Sequence, residues 1–168
     1  MKPNELRDLN VIGAFALALA DDFGSAMQDL ADGNESACAA LIVIGQESGL
    51  SVDRLSKILK LSQPGTVRLV DRLAGDKLVE RKAGTDRRSV ALRLTEAGKR
   101  QVRSLLVGRR HALLQALRGL DDWERSTLSA IADKVLRGVG HGEVECDRRC
   151  RLCDGDSCPD DACPMMFV

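Results

Sequence analysis

Residues 62–95 read SQPGTVRLVDRLAGDKLVERKAGTDRRSVALRLT, and the fold class turns on how this stretch is parsed. Residues 62–75 predict a helix. Ser62 supplies an N-cap oxygen, and Pro64 falls near the helix start, where a missing N–H does no harm. Val67, Val70, Leu73 and Ala74 recur at helical spacing and are expected to face a core, with Thr66, Arg68, Asp71 and Arg72 on the other side. Two short β-type runs follow, 78–82 and 89–94; in the second, Val90, Leu92 and Leu94 alternate with Ala91 and Arg93. Between the runs, Ala83-Gly84-Thr85-Asp86-Arg87-Arg88 makes a turn with two arginines at its tip. A polar, arginine-bearing helix followed by a cationic hairpin is the layout of a winged helix. The helix is expected to enter a DNA major groove and the hairpin tip to reach the neighbouring minor groove.

Charge distribution supports this parsing. The chain of 168 residues carries 25 Lys and Arg against 25 Asp and Glu, so its net charge is zero, which alone argues against a nucleic-acid partner. Between residues 51 and 110, however, 16 basic residues meet 6 acidic ones, a net of +10 that the rest of the chain balances with −10. The basic block coincides with the helix and hairpin. An apolar content of 44% with 2% aromatics calls for an aliphatic core. The sequence has no apolar run of membrane-spanning length, and its opening residues lack the basic-then-apolar order of a secretion signal. A cytoplasmic location is expected, where thiols stay reduced and clustered cysteines point to metal or redox chemistry.

Outward from the central stretch, helices dominate. Residues 6–30 carry a wide apolar stripe from Leu6, Leu9 and Ile12 to Met27 and Leu30, broad enough to need more than one neighbour; a two-fold partner or an intrachain core would serve. Residues 37–47 are almost wholly apolar and predict a buried helix in which Cys38 is a core residue. Ser51 caps a short helix over 52–59, and Lys60-Leu61-Ser62 turns tightly into the next, a helix-turn-helix. From Thr95, the N-cap and early carboxylate of Thr95-Glu96-Ala97-Gly98 open a long helix to about residue 118. Asp121 or Asp122 caps another over 123–136. The fold class is thus mainly α with a small β-hairpin wing. Its parts are an N-terminal dimerisation helix (1–34), a winged helix-turn-helix DNA-binding domain (35–95), C-terminal dimerisation helices (96–138) and a Cys-rich tail (139–168).

These residues resemble the MarR family of winged helix-turn-helix regulators. The likeness runs from about Leu6 to Leu136 and is strongest in Gly65-Thr66-Val67-Arg68-Leu69-Val70-Asp71-Arg72-Leu73 and Leu78-Val79-Glu80-Arg81. Asp86-Arg87-Arg88-Ser89-Val90-Ala91-Leu92-Arg93-Leu94-Thr95 fits the family's D-x-R-x-x-x-L-x-L-T wing signature at every specified position. The resemblance implies a homodimer on a palindromic double-stranded operator, with helices from both chain ends interlocked, Asp86 orienting the wing, and Arg87 or Arg88 probing the minor groove. The chemistry is sensible on its own terms: a narrow minor groove favours an inserted guanidinium, which an adjacent carboxylate can hold in a bidentate pair. On the recognition helix, Ser62, Gln63, Gly65, Thr66, Arg68 and Arg72 are the candidate DNA-binding residues. Arg68 is suited to guanine and Gln63 to adenine; Gly65 permits close backbone approach, while Arg72, Lys57 and Lys60 suit phosphates.

The tail lies outside this family pattern. Cys146, Cys150, Cys153, Cys158 and Cys163 are spaced C-x3-C-x2-C-x4-C-x4-C. Too little else there is apolar for these thiols to build a core, so a metal site explains them better. Cys150 and Cys153 can chelate from one turn, and Cys158 and Cys163 can close the site; Cys146 is a further candidate ligand or a resolving thiol, and His141 a nearby substitute. Four thiolates suit zinc or an iron–sulfur cluster of the 4Fe–4S type, and a metal-free thiol–disulfide switch stays open beside them. Arg148, Arg149 and Arg151 are expected to offset the thiolate charge.

The function these readings support is a dimeric transcriptional regulator, a repressor, sensing redox or metal state through the tail. The alternative is a repressor responding to a small organic effector, its tail a purely structural zinc staple. A thiol redox enzyme built on Cys150 and Cys153 is set aside. No strand precedes the pair as in a thioredoxin-like site, and the chain's two histidines, His111 and His141, lie in no acid–base constellation.

Overall fold

The computed structural model of the chain describes residues 3–30, 34–83, 90–139, 142–158 and 163–165. Among the described residues, seven helices and one hairpin follow one another: α1 (Pro3–Leu30), α2 (Glu35–Gln46), α3 (Val52–Leu59), α4 (Gln63–Gly75), β1 (Val79–Ala83), β2 (Val90–Leu94), α5 (Glu96–Ala116), α6 (Asp122–Arg137) and α7 (Glu143–Cys150), then a 3-10 turn (Gly155–Ser157).

The core is built around α2. Eight consecutive residues, Ala37 to Ile44, are buried, so this helix is covered on every side, as its unbroken apolar run requires. Leu50, Leu55, Ile58, Leu69, Val70, Leu73, Val79, Leu92 and Leu105 close around it from the other elements. Cys38 belongs to this core, its thiol donating to the Met27 carbonyl at 3.4 Å.

Capping residues set the helix starts. Asn34 accepts from Ala37, Ser51 from Arg54, Ser62 from Gly65 and Thr95 from Gly98. Asp121 and Glu124 form a reciprocal capping box at α6, with bonds of 2.8 and 2.9 Å. Each such cap is worth about 1 kcal/mol against alanine.

The wing is an antiparallel pair with Val79 opposite Leu94, Arg81 opposite Leu92 and Ala83 opposite Val90. Leu92 also exchanges backbone bonds with the α2–α3 connection, donating to Leu50 at 2.9 Å and accepting from Gly49 at 3.1 Å, which pins the hairpin to the helix-turn-helix. At the far end of the hairpin, Gly98 is a packing necessity. A Cβ there would lie 2.1 Å from the Leu78 carbonyl oxygen, so only glycine lets α5 start against the wing.

The chain ends carry little of the core. α6 contributes no buried residue, and α1 leaves Leu6, Leu9, Val11, Ile12, Phe15 and Leu17 exposed. α1 packs chiefly along α5. Among the described residues, no helix is long and apolar enough to cross a membrane.

Candidate nucleic-acid interface and thiol cluster

Helix α4 turns its buried face inward through Thr66, Leu69, Val70 and Leu73. This stripe begins one residue earlier than the spacing of valines suggests. Two expectations are therefore corrected. Val67 is 40% exposed, and Thr66 is fully buried, its hydroxyl donating to the Ser62 carbonyl at 3.1 Å. Positions 66, 69/70 and 73 lie on one side of a 3.6-residue helix, and Val67 is rotated about 100° away from Thr66. Thr66 thus holds the first turn of the helix and leaves the DNA-facing set, while Val67 joins the outer face.

Gln63, Arg68 and Arg72 remain exposed on that outer face, and Gly65 is half-buried beside the Ser62 cap. The Gln63 amide donates to Asp53 Oδ1 at 2.8 Å, and Lys57 Nζ pairs with the other oxygen of Asp53 at 2.6 Å. Both partners hold the Asp53 carboxyl below its usual range, Lys57 first. This brace ties the tip of the recognition helix to α3 and has to open if Gln63 is to reach a base edge. Arg81 on the wing donates to Asp71 on α4 at 2.6 Å, fixing the hairpin to the same helix. Lys60 ends α3 in the left-handed region, φ 52°, and stays exposed. The wing-tip residues Asp86, Arg87 and Arg88, and also His141, lie outside the described residues.

The cysteine tail is folded onto this platform, an arrangement no spacing rule announces. Arg54 of α3 is its anchor. Its guanidinium meets Glu47 at 2.7 Å, Asp147 at 2.7 Å and Glu143 at 2.8 Å, so one residue joins the end of α2 to two turns of α7. These carboxylates raise the Arg54 pKa, the Glu47 bond foremost. The Gln46 amide donates to the Cys153 carbonyl at 2.7 Å, and Arg151 meets Glu35 at 3.3 Å. Leu152 enters the main core.

On the other side of α7, Cys146, Cys163 and Met165 form a small buried cluster against Leu136 of α6, with Cys150 and Cys158 at its edge. Cys146 donates to the Met165 carbonyl at 3.0 Å, and burial raises its pKa. The thiols of Cys150 and Cys153 interact directly, and Cys163 meets both Cys150 and Cys158. The Cys150 hydrogen bond pulls the Cys153 pKa down to about 6, with help from the Arg109 charge; the same bond raises that of Cys150. All six cysteines are free thiols. The four tail thiols adjoin in sequence of contact, yet among the described residues no set of three or more His, Cys, Asp or Glu converges as metal ligands do.

A further correction concerns charge. Arg109 of α5 is the arginine whose charge is felt at Cys153 and Cys158; it lies over the Phe23 ring at 5.7 Å with its Nε buried and unbonded. Arg148, Arg149 and Arg151 instead line a concavity against α2 and α3. On a helix, the residues between two thiols of one face point elsewhere, so their nearness in sequence is no guide.

An open cavity of about 1060 Å³ lies between α2, β2, α5 and the tail, its lining including Arg93, Lys99 and Arg103 as well as Cys146, Cys150, Cys153, Cys158 and Cys163.

A two-stranded wing pinned to a helix-turn-helix, with an exposed cationic face on the second helix, defines a winged helix-turn-helix protein. A family model described as MarR family matches residues 34–89, the segment that holds the helix-turn-helix and the first strand of the wing. Solved structures share the fold across most of the chain. YusO from Bacillus subtilis is 20% identical with a TM-score of 0.68, covering 83% of this chain and all of its own. A MarR family protein from Bacillus stearothermophilus is 24% identical, TM-score 0.68, covering 80% and 95% respectively. The Mycobacterium tuberculosis MarR family protein Rv2887, solved in complex with salicylic acid, is 18% identical, TM-score 0.59, covering 74% and 93%. No curated protein matches the chain in sequence.

Proposed function

We propose that the protein is a homodimeric, sequence-specific DNA-binding repressor that acts on a palindromic operator in the cytoplasm, and that its cysteine tail senses redox or metal state. The observation that carries this reading is the position of α7. Arg54 clasps it to the helix-turn-helix, while Cys146 and Cys163 pack it against α6. A change at the thiols is therefore felt both by the reading head and by the helices that hold the two heads apart. Palindromic half-sites demand a fixed separation, so a small displacement suffices to lower affinity.

Cys150, Cys153, Cys158 and Cys163 are the residues that would hold zinc or an iron–sulfur cluster. The donor set suits either, and the pairwise contacts Cys150–Cys153, Cys150–Cys163 and Cys158–Cys163 support the assignment. When bound, such a group would supply a crosslink that an oxidant or chelator removes. The chain's own part is the docking just described, which leaves Cys150, Cys153 and Cys158 half-buried and Cys163 buried beside the open cavity.

The test is operator binding by anaerobically purified protein, with metal analysis and an absorption spectrum of the same sample. Titration with peroxide is expected to lower the wild-type affinity by about tenfold or more, the coupling range of ordinary switches. Cys153→Ser/Cys158→Ser is expected to abolish the response. An undiminished response in that variant would confine the tail to structure.

The cavity favours a second reading, in which an organic effector releases the DNA and the tail is a zinc staple. Rv2887 was solved with salicylic acid, and Arg93, Lys99 and Arg103 would suit a carboxylate. Salicylate-dependent release from zinc-saturated protein with no response to oxidant would select this alternative.

A further inference from the structure

Four cations meet in a shallow concavity of about 430 Å³ that the thiols do not use. Lys60 at the α3–α4 turn and Arg148, Arg149 and Arg151 of the tail line it, with Glu35 and Ser36 at the start of α2. Their acidic partners are too few. Arg148 and Arg149 share one carboxylate, Glu145, which Arg149 reaches only at 3.3 Å, and Arg151 meets Glu35 at the same distance. Arg149 and Arg151 are still more than a third exposed. Four cations against Glu35 and Glu145 leave a net of +2.

We propose that this concavity is a phosphate-binding site, and that its occupant is a backbone phosphate of the bound DNA, outside the groove read by α4. The donors match the ligand. Guanidinium forks pair with two phosphate oxygens at once, Ser36 offers a hydroxyl, and the first turn of the 12-residue α2 lines the concavity through Glu35 and Ser36, which sets the positive end of the helix beside it. The location selects the source of the phosphate. Lys60 is the residue that turns α3 into α4, two positions before the Ser62 cap, so the site borders the reading head. It is open rather than enclosing, as suits a polymer backbone. The three arginines reach it only because Arg54 docks α7, so a displaced tail would withdraw them. The inference rests on the DNA-binding reading above and adds a contact made by the tail itself.

The experiment compares full-length wild type with Arg148→Gln/Arg149→Gln/Arg151→Gln on a random-sequence duplex of about 40 base pairs, by anisotropy across a range of NaCl concentrations. Each lost phosphate contact removes about 0.9 from the slope of log K against log salt, so a decrease of about 0.9 per protomer is expected for the one phosphate seated there. Arg68→Gln/Arg72→Gln serves as the reference and is expected to flatten the slope independently. An unchanged slope in the tail variant, with the reference variant flattened, overturns the proposal and leaves the DNA-binding reading intact. Salt-independent binding in all three proteins overturns both. Should the triple variant misfold by circular dichroism, Lys60→Gln/Arg149→Gln replaces it, with a decrease of up to about 0.9 per protomer expected. Inorganic phosphate at constant ionic strength separates the sources. A rise in Tm that needs the three arginines, beside an unchanged DNA slope, would assign the site to a free phosphorylated ligand and reject the DNA backbone.

Discussion

Cys38 and Cys153 hold the same thiol in opposite electrostatic surroundings. Cys38 is sealed in the core, and burial pushes its pKa from 9.0 to about 11. Cys153 is held near 6 by the hydrogen bond from Cys150 and the nearby Arg109 charge. For Cys38 the neutral form is bound more tightly by the folded state than by the unfolded one. Its contribution is complete below the unfolded value of 9.0 and is lost as pH rises through about 11. Urea unfolding is expected to show wild type losing roughly 2 kcal/mol more than Cys38→Ser between about pH 8 and about pH 10.5. Equal losses in both proteins would mean that Cys38 ionises as freely folded as unfolded. Ser62 and Thr95 cap their helices as their neighbours in sequence suggest, because a cap is a local bond. Thr66 and Val67 exchanged faces, because a threonine can enter a core when the carbonyl four residues earlier accepts its hydroxyl.

At the scale of elements, α7 is the addition that distinguishes this chain from a bare winged helix. Its docking depends on Arg54, three-quarters shielded by its partners, and on the surface pairs Arg151–Glu35 and Gln46–Cys153. Removing Arg54 leaves Glu47, Glu143 and Asp147 together without their shared cation. Pairs of this exposure are each worth less than about 1 kcal/mol, so their joint loss is put at roughly 1–2 kcal/mol, near a tenfold change in the undocked population. In metal-free, reduced protein, Arg54→Ala is accordingly expected to speed alkylation of buried Cys146 by about tenfold, with Arg54→Lys in between. An unaltered rate would show that the Leu136 cluster alone holds the tail. Helix α7 was not legible beforehand: the cysteines drew attention to chelation, while the helix owes its place to a partner 93 residues away.

Across the whole molecule, apolar surface is left where a single chain has nothing to cover it. Leu9, Ile12 and Phe15 on α1, Val107 and Leu114 on α5, and Ile131 and Val135 on α6 are all exposed. Both chain ends present such faces, which is the arrangement expected of two protomers interlocked through their terminal helices. Sedimentation is expected to give a dimer. Ile131→Glu/Val135→Glu is expected to weaken it by about a hundredfold or more, since burying each side chain is worth about 1.5–3 kcal/mol. A monomeric wild type, or a variant dimer of undiminished affinity, would assign these faces another role.

The mainly helical fold, the capped helix-turn-helix and the wing were determined by the sequence itself, since periodicity, caps and turn residues act within a few positions of one another. The cationic midsection was readable in the same way, as charge adds up along a chain whatever its shape. Tertiary structure alone decided where the tail lies, which arginine serves the thiols and which arginines face the reading head. Those outcomes depend on contacts that span 93 to 116 residues, and no local rule couples positions so far apart. The packing of α7 onto α3 and α6 made that choice, and with it turned a row of cysteines into a neighbour of the DNA-binding surface.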